Sequence, residues 1–244
     1  MPLPSFLKPK KTYKLERFGK DNDGGYLIGS NSIKKTKNLI SLGIYDDWSF
    51  EKKFSKLNRD INILCFDDQT SVKFLVKKIL NNCFLLFFNF ELKKFILSIV
   101  KLFEYIYISK QIKFTKKKIK SGDLEKITEN LKNLFIKIDI EGSEYRIFED
   151  LLKIQDKIVC LVIEFHDIDL HMDKIEKFIN EIKLELIHIH PNNFCDLDSF
   201  GNPTTIEVSF ENNPIIEKDL LTIPHNLDQN CNPNGPDINI SFQN

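Results

Sequence analysis

Leu134-Phe135-Ile136-Lys137-Ile138-Asp139-Ile140-Glu141-Gly142-Ser143-Glu144-Tyr145-Arg146-Ile147-Phe148 is the stretch on which the fold turns. The apolar residues at its start predict a buried strand. From Glu144 to Leu152 the apolar groups recur at helical spacing. Asp139 and Glu141 therefore fall where a strand ends and a helix begins. In open α/β sheets, ligands bind in the crevice outside the carboxyl ends of the strands. A carboxylate there is costly to desolvate unless a donor or a cation meets it. The placement marks a binding site.

Outward from this stretch the same alternation repeats, predicting βαβ units and a mostly parallel sheet with helices on both faces. Residues 39–43, 61–66, 134–138 and 158–164 read as central strands, and 112–119 as a half-exposed edge strand. Helical patterns cover 48–57, 71–110 with breaks, 123–132 and 173–183. Residues 184–190 and 205–210 read as two closing strands. Residues 1–37, with an Asp-Gly-Gly hairpin turn at 23–25, and the Asn/Pro-rich tail after Glu211 read as appendages to a single domain spanning 1–244.

Composition narrows the function. The 244 residues carry 35 basic and 35 acidic side chains, a balance that gives no support to nucleic-acid binding. Five widely spaced cysteines, with no Cys-x-x-Cys pair, suggest neither a zinc ribbon nor a disulfide framework. The start of the chain has no secretory pattern, so a cytoplasmic protein is expected. Residues 81–108 are rich in Phe but are divided by Glu91, Lys93 and Lys94, and neither half reaches the roughly 18 apolar residues of a spanning helix. This segment is expected to be a helical insertion covering the sheet, or else a face for a second copy of the chain or for a membrane surface.

Gly43 follows a strand and Asp67 ends the next one. An acid about 20 residues beyond a glycine turn suits a nucleotide ribose. Tyr45 stands where a second glycine would, so a plain βα turn fits the same residues.

Further motifs add to this. Lys137-Ile138-Asp139-Ile140-Glu141-Gly142-Ser143-Glu144 resembles the K-I-D-I-E-G-x-E motif of FkbM-type S-adenosylmethionine-dependent methyltransferases. Arg17-Phe18-Gly19-Lys20-Asp21-Asn22-Asp23-Gly24-Gly25-Tyr26 is similar to the opening of one branch of that family, R-x-G-x-x-N-D-G-G-Y. The turn after Ser41-Leu42-Gly43-Ile44 and the segment His188-Ile189-His190-Pro191-Asn192-Asn193 resemble later motifs of the same branch. The resemblance spans most of the chain in order, with 71–120 unmatched.

It implies a Rossmann-like methyltransferase sheet of seven strands whose last two are antiparallel. Gly43 and Tyr45 would form the cofactor turn, Asp67 would hold the ribose of S-adenosylmethionine, and Asp139 would lie beside the sulfonium. The expected reaction is O-methylation of a sugar or nucleotide sugar destined for surface polysaccharide. Asp139 and His166 are the expected catalytic residues. Arg17, His188, Asn192 and Asn193 are expected to bind substrate.

Carboxylate and imidazole groups at strand ends also suit a divalent ion such as iron, manganese, magnesium or zinc, which would acidify the hydroxyl. The expected ligands are Asp139, Glu164 and His190. Against that stand plainer roles: a core His188, or a Glu164 paired with Lys137. Two rival functions remain on the same sheet, a nucleotide-dependent oxidoreductase or epimerase and a non-catalytic partner subunit. The single-glycine turn and the missing Tyr-x-x-x-Lys pair argue against the first.

Overall fold

The computed structural model of the chain describes residues 2–89 and 92–243. In chain order the elements are β1 Thr12–Tyr13, β2 Leu15–Phe18, β3 Tyr26–Gly29, α1 Ser32–Lys35, β4 Asn38–Leu42, α2 Ser49–Leu57 and β5 Asn62–Asp67. Next come α3 Val72–Asn89, α4 Leu92–Ile108, β6 Lys113–Lys116, α5 Asp123–Ile127, β7 Leu134–Ile138 and α6 Phe148–Ile154. The chain closes with β8 Ile158–Phe165, α7 Ile168–Glu181, β9 Glu185–Pro191, β10 Ile206–Glu211 and β11 Ile216–Lys218.

Seven strands form the central sheet in the order β6-β5-β4-β7-β8-β10-β9. β4 pairs in parallel with both β5 and β7, and β7 with β8. β10 enters between β8 and β9, antiparallel to each. From β4 the chain winds outward to β6, then returns to start β7 on the other side of β4. The crevice between β4 and β7 is therefore the topological switch point, where such sheets bind ligands.

Apolar layers cover both faces. Ile136, Ile138, Leu161 and Ile163 pack with Leu124, Leu151, Ile175 and Phe178 of α5, α6 and α7. On the other face, Phe135, Cys160 and Val162 pack with Phe50 and Phe54 of α2 and with Leu75 of α3. All five cysteines are free, and Cys65 and Cys160 are buried among these strands.

Residues 2–37 are built into the core and are no appendage: Leu3 and Leu7 join the first layer and Ile33 the second. β2 and β3 form the expected hairpin around 19–25, but Phe18, Tyr26 and Ile28 lie in the core. The tail is likewise integrated: β11 pairs with β1, and Phe242 bridges to Leu3. The helix expected at 123–132 stops at Ile127, because the Thr128 hydroxyl bonds back to the Leu124 carbonyl at 2.7 Å.

Helices α3 and α4 pack on each other and leave Leu80, Leu97, Phe103 and Tyr107 exposed. The polar break expected at Glu91 lies outside the described residues. Among the described residues, no helix is long and apolar enough to cross a membrane.

Candidate active site

A cleft of about 870 Å³ opens at the carboxyl ends of β4, β5, β7 and β8. Gly43, Tyr45, Asp67, Asp139, Glu164, His166 and Asn192, all singled out from sequence, line it. Asp23, Lys117 and Lys118 also border it. Lys117 and Lys118 were expected on a solvated edge strand.

The β4 turn is tight because Gly43 (φ +75°) presses on the end of β7. A Cβ at this position would lie 1.5 Å from the Asp139 carbonyl oxygen. Strand packing alone therefore requires a glycine here. Ile44 and Tyr45 then donate their N–H groups to Asp67 Oδ2 at 3.0 and 2.9 Å. Gln69 and Thr70 donate to Oδ1, both at 2.7 Å. Burial raises the Asp67 carboxyl, but these backbone donors outweigh it and hold the group below the usual carboxylate range. Its lone pairs are already engaged by the loop, so Asp67 knits the turn it was expected to leave for a ribose. The exposed Asp68 beside it also lines the cleft.

Asp139 and Glu164 form the floor. The Tyr26 hydroxyl lies 3.3 Å from Asp139 Oδ2 and 3.3 Å from Glu164 Oε2. Lys137 Nζ, buried below Tyr26, stands 3.8 Å from Asp139 Oδ2 and 3.3 Å from the Gly43 carbonyl, to which it donates. Asn192 Nδ2 donates to Glu164 Oε1 at 2.8 Å. Burial, reinforced by the charge of Asp139, pushes the Glu164 carboxyl up to about 7.

His166 sits between carboxylates, with Nδ1 3.1 Å from Glu144 Oε1 and Nε2 3.7 Å from Glu164 Oε1. Burial lowers its pKa, but the hydrogen bond and charge of Glu144, with Glu164 and Asp139 behind, raise it to about 9. The ring is an imidazolium at neutral pH. That corrects the expectation of His166 as the base, since a cationic ring has no lone pair to accept a proton.

Four other expectations are corrected by placement. His190 does not join Asp139 and Glu164. It lies on β9 in register with Glu207 of β10, which itself pairs with Glu164. Its place is taken by His166, whose ligand atom clusters with those of Asp139 and Glu164 within 4.8 Å. His188 turns to the tail, where Nε2 meets Asp228 Oδ1 at 2.8 Å. Asn193 Nδ2 donates to the Asn232 and Pro236 carbonyls, both at 3.0 Å, and so ties down the tail as well. Arg17 donates to the Asn22 carbonyl at 2.6 Å inside its own hairpin and does not line the cleft.

Sequence reasoning missed Glu144 and Glu207. Glu144 stands in the motif, and its spacing from the loop is the signal. Its Oε1 accepts the N–H of Ile140 and of Gly142 at 3.0 and 3.3 Å and so shapes the β7 loop. Glu207 gave a misleading signal: β10 alternates as a half-exposed strand would, yet all six residues are buried. The N-terminal hairpin covers its polar face.

The model of the Methyltransferase FkbM domain family matches residues 23–187. No curated protein matches the sequence. Among solved structures, the human methyltransferase 10 domain containing protein is 13% identical over 72% of this chain and 72% of its own, with a TM-score of 0.41. TrmK of M. capricolum, solved with S-adenosyl-homocysteine, is 13% identical over 76% of this chain and 67% of its own, with a TM-score of 0.39. The delta-N METTL16 MTase domain is 13% identical over 72% and 74%, with a TM-score of 0.42.

Proposed function

The chain belongs to the FkbM methyltransferase family, and from that premise we propose that it is an S-adenosylmethionine-dependent O-methyltransferase acting on a hydroxyl of a sugar or nucleotide sugar. The observation that carries this reading is the meeting of Gly43, Asp68, Asp139 and Glu164 in one cleft at the switch point. The 870 Å³ volume is of the size that ligand sites of small-molecule enzymes have. Its floor is a cluster of carboxylates, which suits a cationic sulfonium. The residues fit the cofactor, which supplies an electrophilic methyl group when bound.

The chain's own part is positioning and proton handling. Asp68 is the free acid for a ribose, since Asp67 is engaged. Asp139 is held by Tyr26 and Lys137 where an acceptor hydroxyl can be oriented. Glu164, with a carboxyl near 7, receives the hydroxyl proton at an Oε atom. The imidazolium of His166 keeps the pair of carboxylates from repelling each other. Asn192 fixes the Glu164 rotamer and borders the space left for the acceptor.

A metal-assisted form of this reading would use Asp139, Glu164 and His166 Nε2, the ring giving up its Nε2 proton to solvent as the ion binds. Glu144 on the other ring nitrogen gives the carboxylate–histidine arrangement that orients metal ligands. A divalent ion there would acidify the acceptor hydroxyl.

Calorimetry with S-adenosylhomocysteine and with NAD tests the cofactor. Micromolar binding of the first alone is expected; binding of NAD alone would favour an oxidoreductase, and binding of neither a partner subunit. Incubation with a panel of nucleotide sugars, read by mass spectrometry for one added CH₂, tests the acceptor. Asp139→Asn should abolish turnover with the fold intact, and near-normal rates would remove Asp139 from the mechanism.

A further inference from the structure

One strand beyond the cleft lies a second cluster that methyl transfer does not use. Cys231 Sγ is 3.5 Å from Glu207 Oε1 and 3.9 Å from His190 Nδ1, and Glu207 Oε2 is 3.8 Å from the same Nδ1. All three side chains are buried. The outer ring nitrogen, His190 Nε2, has no hydrogen-bond partner and faces Asp237 Oδ2 at 3.7 Å.

We propose that Cys231, His190 and Glu207 bind a zinc ion that fastens the C-terminal tail to the sheet. Zinc takes thiolate sulfur at about 2.3 Å and imidazole nitrogen or carboxylate oxygen at about 2.0–2.1 Å, so tetrahedral ligand atoms stand roughly 3.3–3.6 Å apart. One ligand atom from each residue lies within 4.8 Å of the others, and the carboxylate, whose Oε1 faces the thiol and Oε2 the ring, would turn slightly to bring one oxygen to the ion. The mixed S, N, O set suits zinc better than magnesium or calcium, which prefer oxygen alone. Asp237 then serves as the outer partner that fixes the ring tautomer of a metal-bound histidine. It leaves Nδ1 for the ion and gives Nε2–H an acceptor.

The surroundings argue the same way. Glu207 is a buried carboxylate in register with another, Glu164. Coordination takes the thiolate and carboxylate forms, and any proton held by either group leaves to solvent. Thiolate, carboxylate and Zn²⁺ sum to zero charge, so the nearby Arg17 guanidinium does not oppose binding.

The consequence is structural. From Asn212 to Gln243 the chain has only the three-residue β11 as regular structure, yet it wraps β9 and β10. A metal bond from Cys231 to two sheet residues would add to the few apolar contacts, from Ile223, Ile240 and Phe242, that this segment makes with the core.

The test uses the full-length protein, desalted after exposure to zinc and analysed for metal by mass spectrometry, and then reconstituted with cobalt(II). Stoichiometric zinc is expected, with a near-ultraviolet thiolate-to-cobalt charge-transfer band. Because Cys195 lines the cleft, the band is assigned to this cluster by its loss in Cys231→Ser. Asp139→Asn should keep the band and Cys231→Ser should lose it, while His190→Asn weakens zinc binding at least about tenfold. Absence of bound metal in excess zinc overturns the proposal. So does metal bound without the band, or a band that survives Cys231→Ser. If either variant fails to fold, Cys195→Ser decides: a band that persists in it belongs to the Cys231 cluster, and one that disappears overturns the proposal. Failure here would leave S-adenosylhomocysteine binding untouched, so the two readings fall separately.

Discussion

His166 Nδ1 and Glu144 Oε1 stand 3.1 Å apart, and the carboxylate is completely buried. The same oxygen accepts the N–H of Ile140 and Gly142, so one acid both shapes the β7 loop and charges the imidazole. Glu144→Gln keeps a hydrogen-bond acceptor but removes the charge. We expect the His166 pKa to fall from about 9 to near the ordinary value of about 6.5. A proton NMR titration of the histidine rings reads this directly. A ring still titrating near 9 in the variant would show that Glu144 does not hold its proton.

Stability should fall as pH rises, in two windows. His166 carries a folded pKa above its unfolded one, so its contribution is complete below about 6.5 and is lost as pH passes about 9. Glu164 is likewise raised, from 4.5 to about 7, so the folded state binds more protons than the unfolded chain between those values. Its ionisation costs stability over that range. The His166 window amounts to roughly 3 kcal/mol at most. Urea midpoints should decline from pH 5 to pH 9, and Glu164→Gln should flatten the acidic part. A midpoint rising across this range would refute both assignments.

Gly43 and Gly201 separate backbone strain from collision. Both have positive φ, +75° and +82°, but a Cβ at Gly201 meets nothing within 4 Å while one at Gly43 strikes the Asp139 carbonyl. Gly201→Ala should cost only about 1 kcal/mol. Gly43→Ala should cost about 4 kcal/mol or more, or prevent folding, because neither backbone can yield. Denaturant unfolding of the pair measures the difference. Equal losses would mean that the β4 turn has room to relax.

Much of this architecture was legible in the sequence because it follows local period. β4, β5, β7 and β8 are short apolar runs with acids at their ends, and the acids at the ends of β7 and β8 fall in one cleft. What the sequence hid depends on which strands become neighbours. β10 slips between β8 and β9, so Glu207 separates His190 from Glu164 by a full strand. No spacing along the chain encodes that insertion. The same holds for His188 and Asn193: their motif reads as a binding loop, but their partners lie some 40 residues on in a tail that lacks periodicity. Arg17 illustrates a third cause, as its nearest acceptor is a carbonyl in its own hairpin.

The His188–Asp228 contact gives the last prediction. Asp228 Oδ1 meets His188 Nε2 at 2.8 Å, and Oδ2 accepts the His225 N–H at 2.7 Å. Burial raises the Asp228 carboxyl, but the bond to His188 and its charge outweigh that and lower it. Asp228→Ala removes an acceptor from both partners, each of which is buried, and should cost about 2–4 kcal/mol. The loss should be local to the tail first, so limited proteolysis should cut between residues 212 and 243 before the sheet opens. Asp219, which pairs with Lys11 at the surface at 2.8 Å, supplies the comparison; its replacement by Ala should leave the urea midpoint and the cleavage pattern unchanged. Equal protease resistance in both variants would show that the tail is held by other contacts than the β9 histidine.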